Sequence, residues 1–479
     1  MKTAVEQNTS AIPDALTNHL EMHPDAMRAM GYAVVDAIVD QATSLPDQPT
    51  VRSADREMMD GFLWEAAPQT ATPAREVLNR VLSEITPFGH RNSHPRYFGY
   101  VPNPSNFVGA MADALVSGFN TFSGMWIGSP GAAETELVVT DWLRGWCGLP
   151  ETGGGILMSG SSMATLSALV AARQATFAAD GDAARQGTIY YSDQAHSSVA
   201  KGARTIGIMN DRQRMIPTDQ RFRMDLAALT DQIAKDKAAG LTPFCIVAAA
   251  GTTNTAAVDP LAEIAAICRE RNIWMHVDGA FAAATMLTAK GKTALAGIEH
   301  ADSIALDGHK WLFQPIECGA LLVRDIETLR NAFHVRPEYL KDAESAEGEV
   351  QFCDLGPQLT RNFRALKLWM TVQTFGVAAI AAAIERGMIL AEQAERELAA
   401  AGWEIVTEAQ LGVLTFSCPG QSERNLDVLH IALEEGYLAL STTVLEGRTV
   451  LRMCVTNPRI SDAEMSESVR RLTTYRDRL

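Results

Sequence analysis

Apolar residues recur at i, i+3, i+4 and i+7 from about residue 24 to 44 (PDAMRAMGYAVVDAIVDQATS), a spacing that predicts an amphipathic helix. Proline punctuates the next stretches, LPDQPTV (45–51) and TATPAREVLNRVLSEITP (70–87). The segment SHPRYFGYVPNPSNF (93–107), rich in aromatic residues, Pro and Asn, reads as an ordered loop. Between about 150 and 325 the pattern changes: short apolar runs (GILMSG, TIYYS, FCIVAAAG, IWMHVD, SIALDG, GALLVRD) alternate with helical stretches such as SSMATLSALVAARQA and PLAEIAAICRER. Buried strands separated by helices predict an α/β fold with a doubly wound, mostly parallel sheet, whose ligands bind at the carboxyl ends of the strands. Beyond about 370 an Ala-rich amphipathic helix leads to VLTFSCPG, a helix near 425–436 and TVLRMCVTN, the texture of a smaller α/β unit. The expected organisation is an N-terminal helical segment over 1–105, a large domain over 106–370 and a small C-terminal domain over 371–479.

Composition narrows the partners. With 47% hydrophobic and 20% charged residues the chain is globular, and its net charge of -16 with no Lys/Arg cluster argues against a nucleic-acid partner. The odd set of seven cysteines, none spaced CxxC, reads as reduced thiols. No apolar leader opens the chain, and GVAAIAAAI (376–384) is too short to span a bilayer, so no membrane partner and a cytoplasmic location are expected.

Four segments flanking the predicted strand ends carry residue types suited to a ring-containing, phosphate-bearing cofactor. In MSGSSMATLSALVAAR (158–173) a strand ends and a helix begins at Ser161 and Ser162, where free N–H groups and hydroxyls form an anion site; the plainer alternative is a helix cap. HVDGAFA (276–282) puts Asp278 at the end of an apolar run, where a carboxylate needs a cation such as a protonated pyridine nitrogen, unless it caps a turn or binds a metal. No His/Cys/Asp set at ligand spacing lies nearby, so no metal is expected. ADSIALDGHKWLFQPIECGALLV (301–323) sets Lys310 between two apolar strands, where desolvation favours the neutral amine that carbonyl chemistry needs; a lysine snorkelling from a strand end is the structural alternative. In YSDQAHSSVAKGA (191–203) His196 follows a strand and is placed to stack on a planar ring or handle a proton, or to serve structure alone.

Six pieces, SDQAHSS (192–198), GTTNTAAVD (251–259), HVDGA (276–280), DGHKW (307–311), PEYLKD (337–342) and FRALKLW (363–369), stand in an order and spacing that resembles the group II pyridoxal 5'-phosphate (PLP)-dependent decarboxylases, specifically the family of aromatic-L-amino-acid decarboxylase. The likeness runs from roughly residue 24 to the end. It implies PLP fold-type I and an enzyme that removes the α-carboxylate of an amino acid, aromatic by family default, to give a primary amine and CO2. It makes Lys310 the lysine that bonds the cofactor and Asp278 the partner of the pyridine nitrogen, with His196 stacked on the ring and Ala280 against its other face. Ser161, Ser162, Asp307 and His309 are implied around the phosphate, and Thr253 as a further cofactor or substrate contact. Tyr339 is similar to the tyrosine that reprotonates the α-carbon after CO2 leaves, and Tyr100, Pro102, Asn103 and Trp126 are implied on the substrate side. A homodimer with active sites at its interface, the N-terminal segment embracing the partner, also follows from the resemblance.

The chain departs from the family at several points. Met163 stands where Glu is frequent, Gly279 and Phe281 replace the Ala and Tyr of a DAAY pattern, and Asp307-Gly308 replaces Asn-Pro or Asp-Pro. Val101, Gly124 and Ile316 fall where animal members carry aromatic rings, which points to a pocket for a bulkier or a non-aromatic side chain. Three rival readings remain open at this point: an aldehyde synthase, disfavoured by Tyr339 where such enzymes carry phenylalanine; a fold-type I aminotransferase; and a catalytically silent binding protein.

Overall fold

The computed structural model describes residues 16–18, 20–178, 181–335, 346 and 348–479. Its centre is a seven-stranded sheet of β1 (Gly154–Met158), β2 (Gly187–Ser192), β3 (Gln213–Ile216), β4 (Thr242–Ala249), β5 (Trp274–Asp278), β6 (Ser303–Asp307) and β7 (Gly319–Val323), in the order β1-β7-β6-β5-β4-β2-β3. The strands between β6 and β3 pair in parallel, and β7 runs antiparallel to both neighbours, β6 and β1. Both faces are covered, so β1, β4, β6 and β7 are buried along nearly their whole length, as their unbroken apolar runs require. The doubly wound, mostly parallel sheet expected from the βα alternation is therefore present.

Helix α1 (Pro24–Ser44) starts at a proline, with the His23 ring accepting the Asp25 N–H, and buries only Ala26 and Ala33. Met27, Tyr32 and Val39 on it, and Trp64 and Ile85 beyond it, stay exposed in the single chain. On the main sheet pack α2 (Pro130–Trp146) and α3 (Ser161–Phe177), and α4 (Ser197–Thr205) packs against α3.

Helix α5 (Ala365–Ala400) crosses the expected boundary at 370. Its Leu368, Ile380, Ile384 and Met388 belong to the core beneath the main sheet, and from Leu390 onward it feeds a second core. The division between the two cores thus falls inside one helix, because the apolar periodicity continues through it. By length and composition α5 could cross a bilayer, a span longer than the apolar stretch alone indicates. It bends at Gly376 (φ 75°) and spends its apolar side chains on the two cores.

The second core lies under an antiparallel sheet of β8 (Glu404–Gln410), β9 (Val413–Ser417), β10 (Ser441–Leu445) and β11 (Arg448–Cys454), ordered β8-β9-β11-β10 and backed by α6 (Asn425–Glu435) and α7 (Asp462–Asp477). Phe98 from the N-terminal part enters this core, its N–H donating to the Ala439 carbonyl and its carbonyl accepting from Cys454. The segment read as an ordered loop is held here by backbone hydrogen bonds.

Candidate active site

Four parallel strands and β1 end on one side of the sheet, and the turns that leave them enclose a cavity of about 410 Å³. It is lined by Ser159–Ser162 after β1, Gln194, His196 and Ser198 after β2, Ala249 and Gly251–Thr253 after β4, Asp278, Ala280 and Phe281 after β5, Asp307, His309 and Lys310 after β6, and Ile316. This is the crevice at strand carboxyl ends where open α/β sheets bind ligands. Nine residues singled out in the sequence, Ser161, Ser162, His196, Thr253, Asp278, Ala280, Asp307, His309 and Lys310, meet around it.

The strand-to-helix turn at β1 needs close backbone approach. A Cβ on Gly319 would lie 2.5 Å from the Gly160 Cα and 2.9 Å from Asp307 Oδ1, so glycine at 319 lets β7 pass behind the turn. The N-terminus of α3 then faces the cavity. The Ser161 N–H donates to Asp307 Oδ1 at 2.7 Å, while Met163 and Ala164 N–H groups donate to the Gly160 carbonyl. Among the described residues the Ser162 N–H has no acceptor, and the buried Ser161 Oγ has no partner.

At the end of β6, Asp307 Oδ2 stands 3.0 Å from Lys310 Nζ and 3.7 Å from His309 Nε2. The Cys318 N–H donates to His309 Nδ1 at 3.1 Å, which leaves the ring proton on Nε2. Burial lowers the His309 pKa, against the Asp307 charge that raises it and with Lys310 lowering it further. The Asp278 carboxylate accepts only the nearby Ala280 N–H (3.2 Å) and has no cationic side chain within ion-pair distance among the described residues. At the mouth His196 caps α4: its Nδ1 lies 2.8 Å from Ser198 Oγ and 3.2 Å from the Ser198 nitrogen, whose N–H it accepts.

These features fit PLP: a helix N-terminus with an orphaned hydroxyl for the phosphate, a partly buried carboxylate lacking a cation for the ring nitrogen, and a lysine at the cavity for the aldehyde. The departures are absorbed by packing. A Cβ on Gly279 would meet the Ala283 Cβ at 2.8 Å, one on Gly308 would meet Cys318 Sγ at 2.9 Å, and Phe281 lies flat on Trp311 with centroids 4.9 Å apart. Met163 packs beside Ile156 and Met158. Each altered side chain thus answers a neighbour in this chain's own packing.

Not every expected contact gathers here. Tyr100, Pro102, Asn103 and Trp126 do not line the cavity. Tyr100 is 65% exposed, and its carbonyl accepts from Arg452 Nη1 while its N–H donates to Ser441 Oγ. The Pro102 carbonyl accepts from Thr456, so the whole 97–102 stretch is drawn to the small sheet instead. Asn103 is buried with its Oδ1 unpartnered, and Trp126 opens a short turn whose N–H donates to Gln351. Tyr339 lies outside the described residues.

Residues the sequence did not single out also matter. Gln194 reaches the cavity and accepts from Asn254, whose side-chain oxygen accepts from Thr443 and whose carbonyl accepts from Arg452. The only local signal was their presence in the SDQAHSS and GTTNT motifs. Arg452, buried at 3% exposure, had none.

Residues 57–419 match the pyridoxal-dependent decarboxylase conserved domain. The chain belongs to the pyridoxal-dependent decarboxylase family. It is 40% identical over 464 residues to an aromatic-L-amino-acid decarboxylase of Bacillus atrophaeus, covering 94% of this chain and 95% of that one. A phenylacetaldehyde synthase of Arabidopsis thaliana is 31% identical, covering 93% and 95%. The crystal structure of Oryza sativa TDC with PLP and tryptamine superposes with a TM-score of 0.90 at 28% identity, over 95% of this chain and 99% of that one. The protein is thus a PLP-dependent carboxy-lyase of fold-type I that removes the α-carboxylate of an amino acid, and the silent-protein and aminotransferase readings fall away.

Proposed function

We propose that the substrate is an aromatic L-amino acid, released as its primary amine, and that the enzyme works as a cytoplasmic homodimer. The carrying observation is the convergence of Lys310, Asp278 and the α3 N-terminus on one cavity. The likeness to aromatic-L-amino-acid decarboxylase along 94% of the chain supports the substrate class.

PLP, once bound, supplies a conjugated ring that accepts the electron pair of the breaking Cα–carboxylate bond. The protein's part is placement and proton handling. Lys310 presents its amine to the cofactor's aldehyde carbon and yields it to the substrate amine. Asp278 keeps a proton on the ring nitrogen, which maintains the ring's electron demand. His196 and Ala280, both on the cavity wall, would hold the ring between them. Ser161, Ser162 and His309 would donate to the phosphate, and Thr253 would border the substrate. Tyr339 or His196 would deliver the proton that replaces CO2 at the α-carbon. Tyr339 favours amine over aldehyde as product.

The exposed apolar side chains of the N-terminal segment, together with exposed Phe119 and Ile127, support burial against a second copy. In such a dimer Tyr100, Pro102, Asn103 and Trp126 would border the partner's cavity.

The test is a panel of L-amino acids assayed in parallel for CO2, hydrogen peroxide and oxo-acid. Aromatic substrates are expected to release CO2 and amine without peroxide. Borohydride should bleach and fix the cofactor on wild-type protein but not on Lys310→Ala, and covalent cofactor on that variant would remove the central assignment. Release of peroxide and aldehyde by the wild type would establish the aldehyde synthase instead. Sedimentation of a monomer at assay concentration would sink the dimer.

A further inference from the structure

We infer that this chain takes the cofactor's phosphate as the monoanion, with one proton held between that phosphate and the Asp307 carboxylate. The inference rests on the cofactor site described above and concerns its charge.

The phosphate and Asp307 must share one helix end. Asp307 Oδ1 already holds the Ser161 N–H at 2.7 Å, leaving the adjacent Ser162 N–H and the orphaned Ser161 hydroxyl for the phosphate. The carboxylate cannot swing clear: it is 4% exposed and wedged against Gly319, where even a Cβ would come within 2.9 Å of Oδ1. A helix N-terminus offers only about half a positive charge. A dianionic phosphate beside an ionised carboxylate would place three negative charges against it.

Among the described residues no other group facing Asp307 supplies the balance. Lys310 is its ion-pair partner at 3.0 Å, but that amine is committed once it bonds the cofactor's aldehyde carbon. His309 receives the Cys318 N–H on Nδ1 and carries its single proton on Nε2, so it is a neutral donor, and burial holds it there. The Cys318 thiol is pushed up to about 12 by burial and stays neutral. Lys367, which reaches this region from α5, is bound to Asp113 at 2.8 Å. His196 at the mouth spends Nδ1 on Ser198, and Asp278 adds another carboxylate answered by the ring nitrogen. When two acids crowd one site, one proton is retained between them. A free phosphate monoester loses its second proton near about pH 6, so loading in mildly alkaline solution draws about one proton from solvent.

Phosphorus NMR of the loaded enzyme tests this directly. Between about pH 6.5 and about pH 9, the wild-type resonance is expected at the monoanion position without titrating. Asp307→Asn keeps an oxygen for the Ser161 N–H but removes the charge, and its resonance should move to the dianion position. PLP affinity of the apoenzyme should fall about tenfold per pH unit above about pH 7 in the wild type and lose that slope in the variant. Pyridoxal, which lacks the phosphate, measures what loss of the Lys310 ion pair alone does to affinity and its pH slope, and the phosphate's share is the difference between the two cofactors. A wild-type resonance at the dianion position, or a pH slope identical in the two proteins, overturns the proposal. Should Asp307→Asn fail to load, the wild-type resonance alone decides. The ultraviolet-visible spectrum reports cofactor loading separately, so a failed cofactor assignment is not confused with a failed charge assignment.

Discussion

Arg361 and Glu136 form an ion pair sealed from solvent beneath the main sheet, with the guanidinium forked over both carboxylate oxygens. Arg361 also donates to the carbonyls of Ser123 and Leu157, and Glu136 accepts the Leu157 N–H at 2.8 Å. The pair therefore anchors β1 just before the turn that opens the α3 anion site. Removing one partner strands the other charge in the interior. Arg361→Met is expected to lower unfolding stability by about 3–5 kcal/mol, measured by denaturant titration. The double variant Arg361→Met with Glu136→Leu should lose less than the single one, and equal losses would mean that no buried charge penalty operates.

Gly279 illustrates how a departure from the family pattern is balanced locally. A Cβ at 279 would stand 2.8 Å from the Ala283 Cβ and 3.1 Å from the Ala305 carbonyl oxygen. Gly279→Ala should cost about 1–3 kcal/mol through overpacking. Adding Ala283→Gly should relieve part of that loss despite the intrinsic cost of a new glycine. A double-mutant cycle that comes out additive would show that the two positions do not compete for space.

His276 predicts a pH dependence. The ring is fully buried on β5, bridging Ser303 Oγ at 2.9 Å and Thr165 Oγ1 at 3.2 Å, and burial lowers its pKa to about 3. The unfolded chain binds a proton near the ordinary value of about 6.5, while the fold keeps the ring neutral. Its contribution is therefore intact above about pH 6.5 and declines as pH falls toward 3. At about pH 4 the loss amounts to about 3 kcal/mol. His276→Gln, which can still bridge two hydroxyls without titrating, should show a flatter stability profile between about pH 6.5 and about pH 4. Parallel profiles for the two proteins would remove His276 as a source of acid sensitivity.

What could be read from the chain depended on whether the deciding contact was local. Strands such as GALLV and FCIVAA announce burial on both faces, and His196, Asp278 and Lys310 each follow one of the apolar runs, so the sheet and most of the cavity were legible. Asp307 gripping Ser161 links positions 146 residues apart, and nothing in either segment reveals it. The attachment of Phe98 to the small sheet is equally non-local, which is why Tyr100, Pro102 and Asn103 sit away from the cavity of their own chain. The change of core inside α5 was hidden for the opposite reason: a continuous helical pattern runs through it.

Arg452 ties the small sheet to this site by hydrogen bonds that no motif signals. From β11 its Nε donates to the Asn254 carbonyl at 3.2 Å and its Nη1 to the Tyr100 carbonyl at 2.5 Å, while Nη2 is buried without a partner. Asn254 in turn donates to Gln194 on the cavity wall. A charged donor to a buried carbonyl contributes about 1.5–3 kcal/mol, and Lys in this position cannot span both acceptors with a planar fork. Arg452→Lys should therefore lower stability by about 2–4 kcal/mol and weaken PLP binding, because Gln194 loses the support behind Asn254. Asn254→Ala should reproduce the weaker PLP binding while leaving the Arg452 bond to Tyr100 intact. If Arg452→Lys destabilises the fold yet PLP affinity is unchanged in both variants, the tie serves the attachment of the small sheet alone and does not extend to the cavity.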